Sequence, residues 1–345
     1  MARVRPRSVA ALVALALMIP VPVGAHEKWF VDSKPHQLQL DRLWSGAVLL
    51  AVLLAAGGVA ALLVLRWLVG GDNLFPRIGF LRRFDPAAPV VIAIQTAITL
   101  IFMAVNLFVL APNLGSVGVA GYLLAAAQIF VSFTFISGAW TRIGSVVLLL
   151  LVLATGVLFS LESMLEQSIY AGIAIYLLLQ GRGLVDPERS ERRAFEWERY
   201  RPYAPTILRV LAGLSIVVLA FTEKLLNPAL GVAFLREYAD FNVARLLGLT
   251  WFTDERFVLA AGMVELAMGA ALMSGVLPRL VIFAMFVPFN LTIPFLPATE
   301  LIGHLPVFSV MYVLMFHLPA DRLDARSATS RFGRREVATG ARVAA

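Results

Sequence analysis

Nine apolar runs follow one another along this chain, at about 44–69, 90–112, 117–137, 143–161, 167–181, 206–226, 256–274, 279–297 and 302–319. Several extend for about 20 residues without a charge, the length a helix needs to cross a hydrocarbon core of about 30 Å. A soluble domain cannot hide so much apolar surface: 60% of the 345 residues are hydrophobic, 15% are charged, and the mean hydropathy is +0.83. The sequence therefore predicts an all-α protein, a polytopic transmembrane helical bundle in a lipid bilayer.

Orientation is read from the arginines. Residues 1–25 have the form of a secretory signal: Arg3, Arg5 and Arg7, then VAALVALALMI, a break at Pro20, and small residues at Val23 and Ala25. Cleavage after Ala25 makes His26 the exported N-terminus; the alternative is a short uncleaved anchor. With His26 outside, odd-numbered spans run inward and the C-terminus is cytoplasmic. On that topology 19 Arg and Lys residues fall on the cytoplasmic side and 7 on the outer side, as the positive-inside rule requires of an inner or plasma membrane protein. The net charge of +7 is thereby accounted for by topology, with no nucleic-acid partner expected.

The expected layout has a leader (1–25), an exported segment (26–43), a first span (44–69), a four-helix unit (90–181), a cytoplasmic connector (182–205), a second four-helix unit (206–319) and a polar cytoplasmic tail (320–345). Residues 227–255 have apolar positions at helical spacing and are expected to lie along the outer interface.

The two units are parallel copies. At a shift of 137 residues, SGAWTR (137–142) falls on SGVLPR (274–279), with Ser, Gly and Arg matched. The same shift sets Gln128 on Glu265, Ser163 on Glu300 and Gln167 on His304, so polar positions in the first copy become ionisable in the second. An ionisable group inside a span faces the bundle and has a partner or a task. Glu265 lies well within its helix. Glu300 and His304 share a helical face at the outer mouth of the last span. Such a carboxylate–imidazole set suits proton exchange with a quinone, because quinone reduction takes up protons with electrons. The structural alternative has Glu265 pairing with an arginine or capping a neighbouring helix, and Glu300 N-capping the last span. Glu223 and Lys224, in FTEKLLNP, end the sixth span at the same face, where Lys224 is expected to snorkel to the interface or pair with Glu300. His317 is expected at the opposite interface.

FTEKLLNP and AGMVELAMGAALMSGVLPR together resemble the DoxX/DoxD family of four-helix membrane proteins. The likeness covers residues 206–319, with 90–181 a degenerate copy, giving two parallel DoxX-like units plus one N-terminal span. The resemblance implies quinone-linked redox chemistry, possession of an exported or membrane redox partner, and correspondence of the family glutamate to Glu265 and of the helix-end lysine to Lys224. Lys224 and Asn290 are the candidate cofactor contacts; Glu265, Glu300 and His304 are the candidate catalytic residues. The leader, the extra span and the doubling depart from the family pattern.

A second function class centres on the N-terminus. A histidine freed by cleavage offers its amine and ring nitrogen to copper, with His36 and Glu27 as further ligands. That would make the chain a non-catalytic scaffold or a copper-handling protein. A transporter is the third reading, suggested by the repeat and the midplane Glu265; repeat transporters commonly bind at broken helices, of which only Pro288 and Pro294 in the eighth span give a hint. The chain has no cysteine and no haem, flavin, nicotinamide or iron–sulfur motif.

Overall fold

The computed structural model describes residues 26–71, 79–182, 199–292 and 298–316. The expected leader, most of the connector, Pro294, His317 and the tail lie outside those residues. Twelve helices carry the described part: α1 Gly46–Val69, α2 Ala88–Val105, α3 Gly118–Ser137, α4 Thr141–Leu158, α5 Leu161–Glu166, α6 Ser168–Gln180, α7 Ala204–Leu219, α8 Pro228–Glu237, α9 Val243–Leu246, α10 Asp254–Ser274, α11 Pro278–Thr292 and α12 Ala298–Phe316. A short antiparallel hairpin, β1 Phe108–Val109 with β2 Ala111–Gly115, joins α2 to α3. A polytopic helical bundle is what the apolar runs require. Among the described residues six helices are long and apolar enough to span a membrane, and three further expected spans contain the apolar helical stretches Ser168–Gln180, Pro278–Val287 and Glu300–Phe316. The shortening of the fifth has a visible cause: Ser160 caps the separate turn α5, which takes up the chain before α6 begins.

The repeat is visible in the packing. Helices α2, α3, α4 and α6 close a ring, each packing on the next and α6 returning to α2. Helices α7, α10, α11 and α12 close a second ring in the same order. The last helix of each ring also packs on the first helix of the other, α6 on α7 and α12 on α2, as a parallel repeat about an axis along the membrane normal produces. Equivalent atoms do equivalent work. The Arg142 Nε donates to the Leu178 carbonyl at 3.3 Å, and the Arg279 Nε to the Met315 carbonyl at 3.1 Å. Trp140 and Leu277, also 137 positions apart, share the left-handed backbone with φ of 57° and 47°.

Close contacts fix where polar groups end up. A Cβ on Gly213 of α7 would stand 2.8 Å from the Gly269 carbonyl, and one on Gly269 of α10 would stand 2.9 Å from the Gly213 carbonyl. The two backbones approach because neither position has a side chain. Gly262, Glu265 and Gly269 share one face of α10, so the contact that brings the helices together also buries Glu265 against α7. On α12, Pro306 removes the N–H that would bond the Ile302 carbonyl. The Thr99 hydroxyl of α2 donates to that carbonyl at 2.7 Å instead. Helix α1 stands outside the rings and packs on α10 through Val48, Ala51 and Ala55, while Leu53, Val64 and Trp67 stay exposed on its outer face.

Candidate functional site: a buried glutamate–lysine–histidine group

Residues 26–45 form a strap that enters the same end of the bundle as the ends of α2, α4 and α7 and the starts of α10 and α12. The stretch expected along the interface, α8 with the turn Ala239–Phe241, covers this end as well. Phe234, Leu235 and Phe241 are buried against Phe257 and Val258 of α10, with Phe30 and Val31 of the strap packed beside them. Trp251 remains exposed.

Beneath the strap the chain leaves α7 through one π-helical stretch, Ala220–Leu225. The wider winding turns Thr222, Glu223 and Lys224 into the bundle together, which three consecutive α-helical residues would not manage. Lys224 therefore does not snorkel as expected. Its ammonium is buried, 2.9 Å from Glu27 Oε2, 3.1 Å from Glu265 Oε2 and 4.0 Å from Glu223 Oε2. The predicted midspan glutamate and helix-end lysine thus meet, and Glu27 reaches them from the strap rather than facing outward as a metal ligand. The Glu27 backbone N–H donates to Glu223 Oε2 at 3.2 Å.

A second set adjoins the first. Lys28 donates to Glu162 Oε1 at 2.6 Å and to Glu166 Oε1, and the Thr222 hydroxyl donates to the same Glu166 oxygen at 2.7 Å. Burial alone would lower the Lys28 pKa, but the Glu166, Glu223 and Glu162 carboxylates overcome it and raise it above the ordinary lysine value. Burial raises the Glu166 carboxyl more than Lys28 and Thr222 lower it.

The third set surrounds α12. Glu300 and His304 are both fully buried, with 3.4 Å between His304 Nε2 and Glu300 Oε1, and neither Glu300 oxygen has a hydrogen bond among the described residues. Glu300 therefore does not cap its helix. His26 and His304, 278 positions apart, stand with ring centroids 5.6 Å apart, and Trp29 stacks on His26 at 4.1 Å. Trp29 fits because residue 303 is glycine: a Cβ there would lie 2.1 Å from the indole. Burial first, then the charges of His304, Lys224 and Lys28, hold the His26 pKa well below 6.5.

The structure brings Glu27, Lys224, Glu265, Glu300, His304 and His26 into one region and leaves two predicted residues apart. His36 lines a polar vestibule of about 490 Å³ at the strap end, its carbonyl accepting from Asn227 Nδ2 at 3.2 Å. Asn290 lines a membrane-facing groove of about 560 Å³ between α2, α11 and α12 and donates to the Phe286 carbonyl at 2.7 Å. No set of three or more His, Asp or Glu among the described residues is arranged to hold a metal ion. Gln128, the counterpart of Glu265, serves only structure: its amide accepts from the Leu110 N–H at 3.2 Å and donates to the Phe108 carbonyl at 2.8 Å.

Lys28, Glu162, Glu166 and Thr222 were not anticipated. LESMLEQS carries a signal, two glutamates at i and i+4, the same spacing as Glu300 and His304. Six glutamates against two lysines make a group that cannot be fully ionised out of water; ion pairs would still leave unmatched negative charge. Some of these carboxyls therefore hold protons. A cavity of about 60 Å³ lies among His26, Glu166, Glu223, Lys224, Glu265 and Phe289. It has room for water, for which roughly 10–15 Å³ suffices, but falls far below the roughly 300–1,000 Å³ of sites for larger organic ligands. No family model, curated protein or solved structure matches this chain.

Proposed function

We propose that this chain is a multi-pass membrane redox component whose buried glutamate–lysine–histidine group exchanges protons with a quinone. The observation that carries the proposal is the placement of three aromatic rings on α11 and α12. Phe289 lines the small cavity, Phe308 lines the membrane-facing groove, and the His304 ring lies 5.2 Å and 6.1 Å from them. A groove of about 560 Å³ has the size for an aromatic head group and is open to an isoprenoid tail from the bilayer. Of its polar groups, the Gln95 and Asn290 amides suit quinone carbonyls, whereas the Tyr312 hydroxyl donates to the Phe84 carbonyl at 3.0 Å. Proton-holding carboxyls lie on the other side of the ring wall.

Reduction adds two electrons and two protons to a quinone. The electrons come from an exported or membrane redox partner, and the protons from the buried group through His304. The resemblance of residues 206–319 to the DoxX/DoxD family is what names the quinone; the geometry contributes the proton-holding group and the groove beside it. The strap end faces the outside of an inner or plasma membrane in this proposal, an orientation supported by the arginine distribution.

The test is the quinone content of protein purified in mild detergent. Wild type retains quinone well above its share of co-purified lipid, and the Glu265→Gln/His304→Ala variant loses most of it. Wild type carrying no more quinone than its lipid, or the variant retaining a wild-type load, would refute the proposal.

A further inference from the structure

The strap end has a polar vestibule of about 490 Å³, and the bundle beneath it has the separate cavity of about 60 Å³. Asn113 of the hairpin lines both, so they share a wall. Lys28, Glu162 and Thr222 belong to the vestibule, whereas Glu166 belongs to the cavity. Both Lys28 and Thr222 nevertheless bond the Glu166 carboxyl, so its side chain is held between the two spaces.

The order of groups across this partition is that of a relay. Glu162 is 35% exposed in its side chain and meets the vestibule. Glu166 is buried, with 3% of its side chain exposed. Glu223 and Glu265 line the same cavity as Glu166, with the Lys224 ammonium 4.0 Å and 3.1 Å from their carboxyls. Lys28 holds Glu162 and Glu166 on one ammonium, which keeps the two carboxyls close while remaining charged itself. Ser215 fixes the α5 backbone by donating to the Glu166 carbonyl. These contacts position a single carboxyl at the boundary between water and the proton-holding group.

We infer that Glu166 is the port through which protons pass between the strap-end vestibule and the buried carboxyls. A proton arriving on Glu162 or on vestibule water adds to the Glu166 carboxylate. The Glu166 acid then gives that proton across the cavity to the Glu223 carboxylate, and Glu166 returns to its anionic form. Nothing is oxidised, and one proton enters for each cycle of Glu166. Burial raises the Glu166 pKa above the ordinary carboxyl value, which eases its protonation. Burial and Glu162 favour its acid, Lys28 and Thr222 favour its anion, and Glu223 lines the same cavity. The inference rests on the proposed proton exchange, but its test requires no quinone.

Full-length protein in lipid nanodiscs is taken through a rapid pH jump while the carboxylic C=O stretch is followed by time-resolved infrared spectroscopy. The band lost in Glu223→Gln reports the inner acceptor. Glu166→Gln, which keeps an oxygen acceptor for Lys28 and Thr222, is expected to slow protonation of that band at least tenfold. Thr222→Val is expected to slow it less. An unchanged rate in folded Glu166→Gln would overturn the inference. So would a rate lost equally in Leu53→Ala, because that residue lies on the exposed outer face of α1. Should Glu166→Gln fail to fold, Thr222→Val alone decides: a wild-type rate counts against the port. Quinone content is measured on the same samples, so a slow rate with no quinone bound refutes the redox proposal and leaves the port standing.

Discussion

Replacing Lys224 with methionine removes the single ammonium on which Glu27, Glu223 and Glu265 converge. Each contact near 3 Å is worth roughly 5 kcal/mol of Coulomb attraction at an effective dielectric constant of about 20. Mutual repulsion of the carboxylates and the desolvation of every member cancel most of that sum, which is why intact buried pairs add little net stability. Breaking the group from one side lacks that cancellation, because the carboxylates stay buried with no counter-charge. The expected loss is about 3–5 kcal/mol, which for a chain of 345 residues is roughly 4–7 °C in the unfolding midpoint. The assay is tryptophan-detected thermal unfolding at pH 7.5 and one scan rate, using the six native tryptophans. Glu265→Gln alone leaves Lys224 with two carboxylates and loses less than roughly 3 °C. Added to Lys224→Met, it returns part of the loss, since one uncompensated charge disappears. A Lys224→Met loss under roughly 3 °C, or losses that simply add in the double variant, would refute the buried-charge account.

Three further outcomes follow from other contacts. Gly303→Ala forces the Trp29 indole out of its seat, so Trp29 emission shifts to the red and the 26–45 strap becomes more sensitive to protease. Strap docking weakens on acidification: docked His26 has a pKa below its free value of about 6.5, so docking is full above that pH and loses up to about 1.4 kcal/mol per pH unit below it. Glu166, with its raised pKa, contributes in the opposite direction, so the readout is the difference in hydrogen exchange of the strap between wild type and His26→Phe, which vanishes above pH 7 and grows towards pH 5.5 if His26 is responsible. Thr99→Val leaves the Ile302 carbonyl unbonded at the Pro306 break and lowers the thermal midpoint by the equivalent of about 1–3 kcal/mol, with Thr96→Val as the neighbouring control.

The helical membrane architecture was legible because its cause is one-dimensional: a span is a run of apolar residues, and the runs stand in the sequence. The parallel repeat was legible from one short identity, SGAWTR against SGVLPR, and the arginine contacts show why it persists, since each arginine closes the same turn in its own unit. Glu265, Glu300 and His304 stood out by the same reasoning, as ionisable residues where the bilayer allows few. Lys224 was misplaced because snorkelling assumes an α-helix ending at the interface. The π-helical stretch Ala220–Leu225 instead turns Lys224 inward, and no local pattern announces that change of winding. The contacts of the strap were hidden for a related reason. The partners of His26 and Glu27, namely Lys224, Glu223 and His304, lie about 200 or more positions away, and only the folded chain brings them together. Lys28, Glu162 and Glu166 combine both difficulties, a strap residue with two glutamates on a short turn between spans.

The most direct measurement is proton uptake on reduction of a short-chain benzoquinone bound to the protein in nanodiscs, with electrochemical mediators supplying electrons and a pH dye reading the medium. Wild type takes up two protons per quinone reduced, and Glu265→Gln/His304→Ala reduces the bound fraction and slows the uptake. Failure of the quinone to bind wild-type protein, or uptake that is the same in both proteins and in empty nanodiscs, would contradict the proton-exchanging role of the buried group.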